Sequence, residues 1–150
     1  MIKYINGDLL KGKDDVIVHG CNCLCNFGAG IALYISEIYP EAYMVDKQTK
    51  YKDKNKLGTY SIWTGENKFF PSQQITIVNA YTQFFPNYKM KPFDYEAFAK
   101  ILIQLKKEFN DKTIGFPKIG AGLAGGNWNT IETMINETFT DKNVNVYIFK

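Results

Sequence analysis

Residues 22–32 read Asn-Cys-Leu-Cys-Asn-Phe-Gly-Ala-Gly-Ile-Ala, and this glycine-rich stretch connects an apolar run to a helical pattern. Gly28 and Gly30 leave the backbone amides around Ala29 unobstructed, and the start of a helix adds about half a positive charge. Phosphate is the natural ligand for such a junction, although Gly-x-Gly also occurs where a strand and a helix only pack closely. The stretch indicates an α/β fold with a candidate anion site.

A second glycine-rich loop follows another apolar run. Residues 117–128 read Pro-Lys-Ile-Gly-Ala-Gly-Leu-Ala-Gly-Gly-Asn-Trp and lead into a helical pattern. Glycines in this number lose much conformational entropy on folding, which predicts a specific role for the backbone. Loops that follow different strands of one parallel sheet meet at its carboxyl edge, where ligands of open α/β sheets bind. Together the loops predict a diphosphate held from two sides, with two merely flexible turns as the alternative.

Short apolar runs rich in β-branched residues predict the strands. They cover residues 2–5, 16–19, 60–63, 75–79, 113–116 and 144–149. Helical patterns separate several of these runs, which favours a mostly parallel mixed sheet with helices on both faces. We expect one domain over residues 1–150, built as a three-layer α/β/α sandwich.

Caps and apolar spacing predict three helices. Asp94 is expected to cap one helix. Asn129, followed by Glu132 at the spacing of a capping box, is expected to start another. A third begins after Gly30 and continues to Pro40, which either interrupts it or starts a new helix.

Composition and charge favour a soluble protein. The formal net charge is +3, and the lysines between residues 47 and 56 form a basic stretch that we expect to be solvated. No stretch reaches the roughly 18 apolar residues needed to span a bilayer. We therefore expect a cytoplasmic, monomeric protein that acts on a small molecule, with no membrane partner and no requirement for nucleic acid.

The cysteines are close together in the sequence, at Cys21, Cys23 and Cys25. Their odd number cannot form a closed set of disulfides, so we expect reduced thiols and an intracellular location. A zinc site is the alternative, but the spacing is tighter than the usual Cys-x₂₋₄-Cys pairs, and no second Cys/His cluster completes four ligands. We predict no metal and no cofactor.

The order of these motifs resembles the macro domain family across nearly the whole chain. The motifs are Gly-Asp-Leu-Leu at residues 7–10, His-Gly-Cys-Asn-Cys at residues 19–23, and the two glycine-rich loops. The second motif is similar to the branch that includes ADP-ribose 1″-phosphate phosphatases, where His-x-Cys-Asn-Cys precedes the glycine loop. The resemblance implies binding of ADP-ribose or a close derivative, and hydrolysis of the terminal phosphate of ADP-ribose 1″-phosphate.

The resemblance also implies roles for individual residues. Asp8, next to Leu9, would accept the adenine amine, Asn22 would contact the distal ribose, and Phe149 would pack on the base. The loops would enclose the diphosphate and ribose through Gly28, Ala29, Gly30, Ile31, Ile119, Gly120, Ala121, Gly122 and Leu123. A carboxylate only accepts hydrogen bonds and so suits an exocyclic amine. The alternatives are that Asp8 is a turn or helix cap, that the Asn22 side chain only hydrogen-bonds the backbone of its own loop, and that Tyr147 and Phe149 pack in the core.

His19 is the only histidine of the chain and precedes the first glycine loop. An imidazole there can act as acid or base near neutral pH, or orient a water toward a terminal phosphate. A structural histidine in an apolar strand is the alternative. The resemblance to the phosphatase branch favours catalysis by His19 together with Asn22.

Two other functions stay open. Macro domains that remove ADP-ribose through a lysine adduct have that lysine after the middle strand, near residues 79–83 here, and an acidic partner where this chain has Ala124. Neither residue is present, which argues against the adduct but leaves water-mediated hydrolysis of an ADP-ribosyl bond open. The third function is a non-catalytic module that recognises ADP-ribose.

Overall fold

A computed structural model of the protein describes residues 1–85, 92–122 and 124–149, and its centre is a six-stranded sheet. The strands are β1 (Ile2–Asn6), β2 (Val16–Cys21), β3 (Tyr60–Glu66), β4 (Gln74–Tyr81), β5 (Ile114–Phe116) and β6 (Val144–Ile148). Their spatial order is β1-β6-β5-β2-β4-β3, and all neighbours are parallel except β3 and β4. The predicted mostly parallel mixed sheet is confirmed, and the predicted strands differ from these bounds only at their ends.

The described part of the chain contains four α-helices, which are α1 (Gly30–Ile38), α2 (Pro40–Lys47), α3 (Tyr95–Glu108) and α4 (Trp128–Thr138). Pro40 lies in the first turn of α2, directly after Tyr39 ends α1, so the proline starts a new helix. Asp94 caps α3 as predicted, because its side chain accepts a hydrogen bond from the Ala97 amide.

Helix α4 begins earlier than the sequence predicts. Its N-cap is Asn127, whose Oδ1 accepts a hydrogen bond from the Thr130 amide at 3.2 Å. Asn129, the predicted start, lies inside the first turn. Glu132 does not complete a capping box there, because its carboxylate accepts a hydrogen bond from the Tyr4 hydroxyl of β1.

Apolar clusters cover both faces of the sheet and form the core. One cluster packs α3 and α4 against the sheet, with Phe98 and Ile135 fully buried. The other packs α1 and α2 against the opposite face, with Ile35 fully buried. Neighbouring residues of β2 point to opposite clusters, as Val18 and Ile17 do. The three-layer α/β/α sandwich is confirmed.

The lysine-rich stretch departs from expectation at one residue. Lys56 lies in the short 3₁₀ turn Lys54–Lys56 and is only 7% exposed. Its Nζ donates to the Cys23 carbonyl at 3.3 Å and lies 4.6 Å from the centre of the Tyr81 ring. The expectation of a fully solvated stretch is therefore wrong at this residue, because the buried ammonium is bound to the backbone of the loop after β2 and to the Tyr81 ring. Within the predicted loop over residues 83–93, residues 86–91 lie outside the described part of the chain.

Candidate ligand-binding site

A cleft of two adjoining cavities lies where the two glycine-rich loops meet. The first cavity measures about 480 Å³ and the second about 470 Å³. Both are lined by Gly30, Ile31, Pro117 and Lys118, which form a shared waist. The strands β2 and β5 lead into these two loops, so the cleft lies at the carboxyl edge of the sheet, as predicted.

The first glycine-rich loop supplies the start of α1 to the first cavity. Gly30 has φ +59°, a left-handed conformation that favours glycine. Ala29 is the N-cap residue and makes no side-chain capping hydrogen bond, so the helix start is not covered by a cap. The amides of this first turn and the helix dipole favour an anion in the cavity. Gly28 is partly engaged already, because its amide donates to Asn26 Oδ1 at 2.7 Å.

The second glycine-rich loop is tightly folded where it approaches the cleft. Gly120 has φ +75°, and a Cβ at this position would lie 2.4 Å from an atom of the Phe93 ring. Its carbonyl also accepts a hydrogen bond from the Gly126 amide at 2.7 Å. Gly122 differs, because a Cβ there would meet nothing within 4 Å. Ile119, Gly120 and Gly122 line the first cavity, Ala121 does not, and Leu123 lies outside the described residues.

Charge is placed differently in the two cavities. Lys118 is the one lysine among the described residues that line the cleft, and its ammonium lies 5.7 Å from the Trp128 ring. Asp8 supplies a carboxylate to the second cavity only. The first cavity and the waist therefore suit an anion, whereas the second cavity suits a hydrogen-bond donor.

Asp8 is both a cap and part of the cleft. Its Oδ1 accepts from the Leu10 amide at 2.9 Å, and its Oδ2 accepts from the Tyr34 hydroxyl at 2.6 Å. The hydrogen bond to Asp8, together with burial, raises the pKa of Tyr34 to about 12. Each carboxylate oxygen has a second acceptor position, so a ligand can still bind. Leu9 is buried beneath the same cavity.

Asn22 lines the first cavity with its side chain held by its own loop. Its Nδ2 donates to the Asn26 carbonyl at 2.8 Å, and its Oδ1 accepts from the Leu24 amide at 2.9 Å. The side chain is therefore fixed before any ligand arrives. One N–H and one acceptor position stay available to a ligand.

His19 lies behind the cleft and does not line it. Its Nε2 is 2.7 Å from Asn79 Oδ1, and the ring packs edge-on against Phe27. Asn79 donates both N–H groups, to the Ala42 carbonyl and to Ser61 Oγ, so its Oδ1 must accept from His19. Burial lowers the pKa of His19 to about 4. The geometry gives no support to a catalytic His19, because a neutral imidazole without access to the cleft cannot exchange protons with a ligand.

Two aromatic residues near the chain end line the second cavity. Tyr147 is buried, and its hydroxyl donates to Asp14 Oδ2 at 2.5 Å, so its ring is fixed in the wall. Phe149 is 74% exposed at the rim. Tyr147 therefore packs in the core, whereas the Phe149 ring is exposed and can contact a ligand.

Sequence reasoning missed Tyr34, Thr82 and Lys118 as cleft residues. Thr82 is fully buried and lines the first cavity, and within the described chain its Oγ1 has no hydrogen-bond partner. Leaving such a hydroxyl unpaired costs about 1–3 kcal/mol. Gln83 and Ala124 also line this cavity; lysine-adduct enzymes would require a lysine near residues 79–83 and an acid at the position of Ala124.

Residues 1–85, 92–122 and 124–149 contain neither a metal-binding cluster nor a membrane-spanning helix. No group of three or more His, Cys, Asp or Glu side chains is arranged there to hold a metal ion. Within the same ranges, no helix is long and apolar enough to cross a bilayer. All three cysteines are free thiols, as predicted.

The comparisons with known proteins agree on the family. The family model described as Macro domain matches residues 18–135. The chain is 36% identical to the uncharacterized 17.5 kDa protein in the tk-vs intergenic region of Enterobacteria phage T4, covering 95% of this chain and 92% of that protein. It is 29% identical to the ADP-ribose 1″-phosphate phosphatase of Candida albicans, with 99% of each chain covered.

A solved structure shows the same fold. The macrodomain of Mycobacterium tuberculosis DarG superposes with a TM-score of 0.75 at 23% identity, covering 98% of this chain and 97% of that one. The sheet order, the two glycine-rich loops and these matches define the class, and the chain belongs to the macro domain family. The resemblance seen in the sequence motifs is confirmed.

Proposed function

We propose that this protein binds ADP-ribose 1″-phosphate in the cleft and hydrolyses its terminal phosphate. The observation that carries the proposal is the continuity of the two cavities across the waist, with a glycine-rich loop on each side. A ligand with a base at one end, a diphosphate in the middle and a phosphate at the other end matches this sequence of environments.

The second cavity would hold the adenine. The Asp8 carboxylate accepts the exocyclic amine while the Tyr34 hydroxyl and the Leu10 amide keep it in place. Phe149 packs on the base from the rim, and the buried Tyr147 forms the wall. The 6-amino group of adenine can donate a hydrogen bond to this carboxylate, whereas the base of inosine has a carbonyl oxygen at the same position and cannot.

The waist would hold the diphosphate. Gly30 and Ile31 line this region from the uncapped start of α1, so amides of the first helical turn are available there, and the loop that begins at Pro117 lines the other side. The Lys118 ammonium adds attraction, although its exposure to solvent keeps the contribution small.

The first cavity would hold the distal ribose and its 1″-phosphate. Asn22, already fixed by its own loop, contacts the ribose. Loop amides and the helix dipole stabilise the charge that develops on the phosphoryl oxygens as the phosphorus–oxygen bond breaks. The full-length similarity to the Candida albicans enzyme supports this reaction. In this proposal His19 is structural, and no proton passes through it.

The test is an incubation of the pure protein with three substrates, which are ADP-ribose 1″-phosphate, ADP-ribosylated protein and ADP-ribosylated DNA. Free phosphate and free ADP-ribose are measured, and Gly122→Glu serves as the control in which the loop is blocked. We expect phosphate release from the first substrate alone, and much slower release by the control at substrate concentrations below saturation. Free ADP-ribose from either macromolecule would instead identify an ADP-ribosyl hydrolase, and ADP-ribose binding without any product would identify a reader.

We also propose that the protein works as a cytoplasmic monomer. Free thiols at Cys21, Cys23 and Cys25 suit a reducing compartment. The cleft is formed by residues of a single chain, so a second copy is not needed to complete it. Size-exclusion chromatography with light scattering tests the oligomeric state, and a dimer would refute this part.

A further inference from the structure

The lysine-rich stretch over residues 47–56 carries a concentrated positive charge. It includes five lysines and one aspartate, so its formal charge is +4, whereas that of the whole chain is +3. Lys56 is buried, and the other four lysines are exposed. These exposed residues are Lys47, Lys50, Lys52 and Lys54. In the described part of the chain, none of their ammonium groups forms an ion pair with a carboxylate, so their charge is not neutralised locally.

The loop after β2 brings this stretch together with two other segments. The Cys23 carbonyl accepts a hydrogen bond from the Lys52 amide at 2.8 Å, and the Cys23 amide donates to the Phe84 carbonyl at 3.1 Å. Two residues later, the Cys25 carbonyl accepts from the Tyr43 hydroxyl at 3.1 Å. Helix α2, the lysine-rich stretch and the segment after β4 therefore meet around one loop and form a continuous surface.

Aromatic rings lie beside the lysines on this surface. The Lys47 ammonium is 4.4 Å from the centre of the Tyr43 ring, and the Lys54 ammonium is 5.5 Å from the centre of the Phe84 ring. Both distances are within the range of an attraction between a cation and the face of a ring. Positive charge and aromatic area are therefore adjacent at two places on the surface.

Two further rings of the surface are open to solvent. Tyr51 is 65% exposed, and Phe85 is 42% exposed. Gln83, which lines the first cavity, donates from its Nε2 to the Phe85 carbonyl at 2.8 Å. Phe85 therefore lies next to the first cavity, although neither Phe85 nor Tyr51 lines the cleft.

Separate positive charges with open rings among them fit a chain of phosphates that carries flat, unpaired bases. A lysine attracts any phosphate, and an aromatic ring can stack on any base, so such a surface needs no particular sequence. A duplex supplies the phosphates, but its bases are already stacked on each other and cannot cover Tyr51 or Phe85. A single strand is the partner whose chemistry matches both the charges and the rings.

We infer that single-stranded nucleic acid binds this lysine–aromatic surface, beside the cleft. The surface comprises Lys47, Lys50, Tyr51, Lys52, Lys54 and Phe85. The inference goes beyond the proposed function and does not depend on it, because none of these residues lines the two cavities. DNA and RNA share the chemistry that the surface recognises, so both are tested.

Fluorescence anisotropy with labelled oligothymidylate and oligouridylate of about 20 nucleotides measures the binding, and a DNA duplex of the same length is the comparison. If four lysines contact phosphates, the affinity for a single strand falls about 50-fold between 50 and 200 mM salt. At the higher salt, where stacking contributes a larger share, the single strands are expected to bind more tightly than the duplex. Excess ADP-ribose is expected to leave their Kd unchanged, because the surface lies outside the cleft.

Two variants remove the charges and the stacking separately. The triple variant Lys47→Gln, Lys50→Gln and Lys54→Gln is expected to weaken oligothymidylate binding by about 10-fold or more at 50 mM salt, and to lower the salt slope by about 2. Tyr51→Ser is expected to weaken the binding by about 5- to 100-fold with the salt slope unchanged. Both variants keep the wild-type Kd for ADP-ribose.

Matched controls make the same changes elsewhere on the protein. The triple variant Lys3→Gln, Lys107→Gln and Lys112→Gln removes three exposed charges and so lowers the net charge equally. Ile103→Ser removes an apolar side chain from α3, where the residue is 66% exposed, and α3 packs on the opposite face of the sheet from α2. Both controls are expected to bind the oligonucleotides as the wild type does. Thermal unfolding of all the variants shows whether a weaker binding only reflects loss of folded protein.

Three results would overturn the inference. Equal weakening by the two lysine triple variants would mean that only net charge matters, and displacement of the strand by ADP-ribose would place it in the cleft. Binding to vesicles of phosphatidylserine and phosphatidylcholine, with no binding to either oligonucleotide, would identify a membrane-binding surface instead. A protein that binds the oligonucleotides as expected but releases no phosphate would refute the proposed function and support this inference.

Discussion

The buried imidazole of His19 makes stability depend on pH in a way that one variant can isolate. Burial lowers the pKa of His19 from its ordinary 6.5 to about 4 in the folded protein. Between these values the unfolded chain binds more protons than the folded one, so stability is fully present above pH 6.5 and is lost as the pH falls toward 4. At 1.36 kcal/mol for each pH unit, the whole interval corresponds to roughly 3 kcal/mol.

His19→Gln is the perturbation, because a glutamine amide can donate to Asn79 Oδ1 as the imidazole does but does not titrate. Urea unfolding at pH 7 and pH 4.5 gives the free energy of unfolding for both proteins. Between the two pH values, the wild type is expected to lose roughly 2.5 kcal/mol more than the variant. Equal losses would refute the reasoning that the imidazole is held neutral behind the cleft.

The same variant tests the assignment of His19 as structural. Its imidazole does not line the cleft, so His19→Gln is expected to release phosphate from ADP-ribose 1″-phosphate at close to the wild-type rate at pH 7. A folded variant with normal ADP-ribose affinity and no turnover would return His19 to the catalytic residues.

Three further predictions concern binding and are checked by calorimetry. Gly122→Glu stays folded, because its side chain enters open space, but it weakens ADP-ribose by about 1–4 kcal/mol through like-charge repulsion with the diphosphate; unchanged affinity would separate this loop from the ligand. Asp8→Ala weakens the binding of ADP-ribose by about 1–3 kcal/mol and the binding of an inosine analogue much less; equal losses for both nucleotides would make Asp8 purely structural. Tyr34→Phe removes the hydroxyl that holds the Asp8 carboxylate, and its loss of ADP-ribose affinity is smaller than that of Asp8→Ala. Lys118→Met costs at most about 1 kcal/mol and reduces the salt dependence of binding, so a salt dependence equal to that of the wild type would contradict a contact with phosphate.

Local sequence patterns were sufficient for the sheet and for most of the helices. Each strand is a short apolar run, and Asp94 caps α3 at the place where the side-chain pattern changes. The start of α4 was predicted wrongly because Asn127 and Asn129 both precede apolar helical residues. Only the structure shows that Asn127 Oδ1 reaches the Thr130 amide while Glu132 turns to Tyr4.

The glycine-rich loops were found from sequence because glycine at a strand–helix junction has a local physical meaning. Thr82 and Tyr34 carry no such local signal. Thr82 becomes notable only when the fold buries its hydroxyl without a partner among the described residues, and Tyr34 only when α1 brings its hydroxyl to Asp8. The burial of His19 likewise depends on contacts that only the fold creates, with Asn79 of the neighbouring strand β4 and with Phe27 of the first glycine-rich loop.

Because the two cavities share a waist, inhibitors of this site can be built by linking two fragments. A heteroaryl amine selected in the second cavity and a small acid selected in the first would both end above Gly30, Ile31, Pro117 and Lys118. A short linker across that point converts two weak binding events into one, at an effective concentration in the millimolar range. Because Gly30 has no side chain and the Lys118 ammonium lies on the same stretch, a linker there can pass close to the backbone and carry an acidic group, and its length and stiffness decide the gain in affinity.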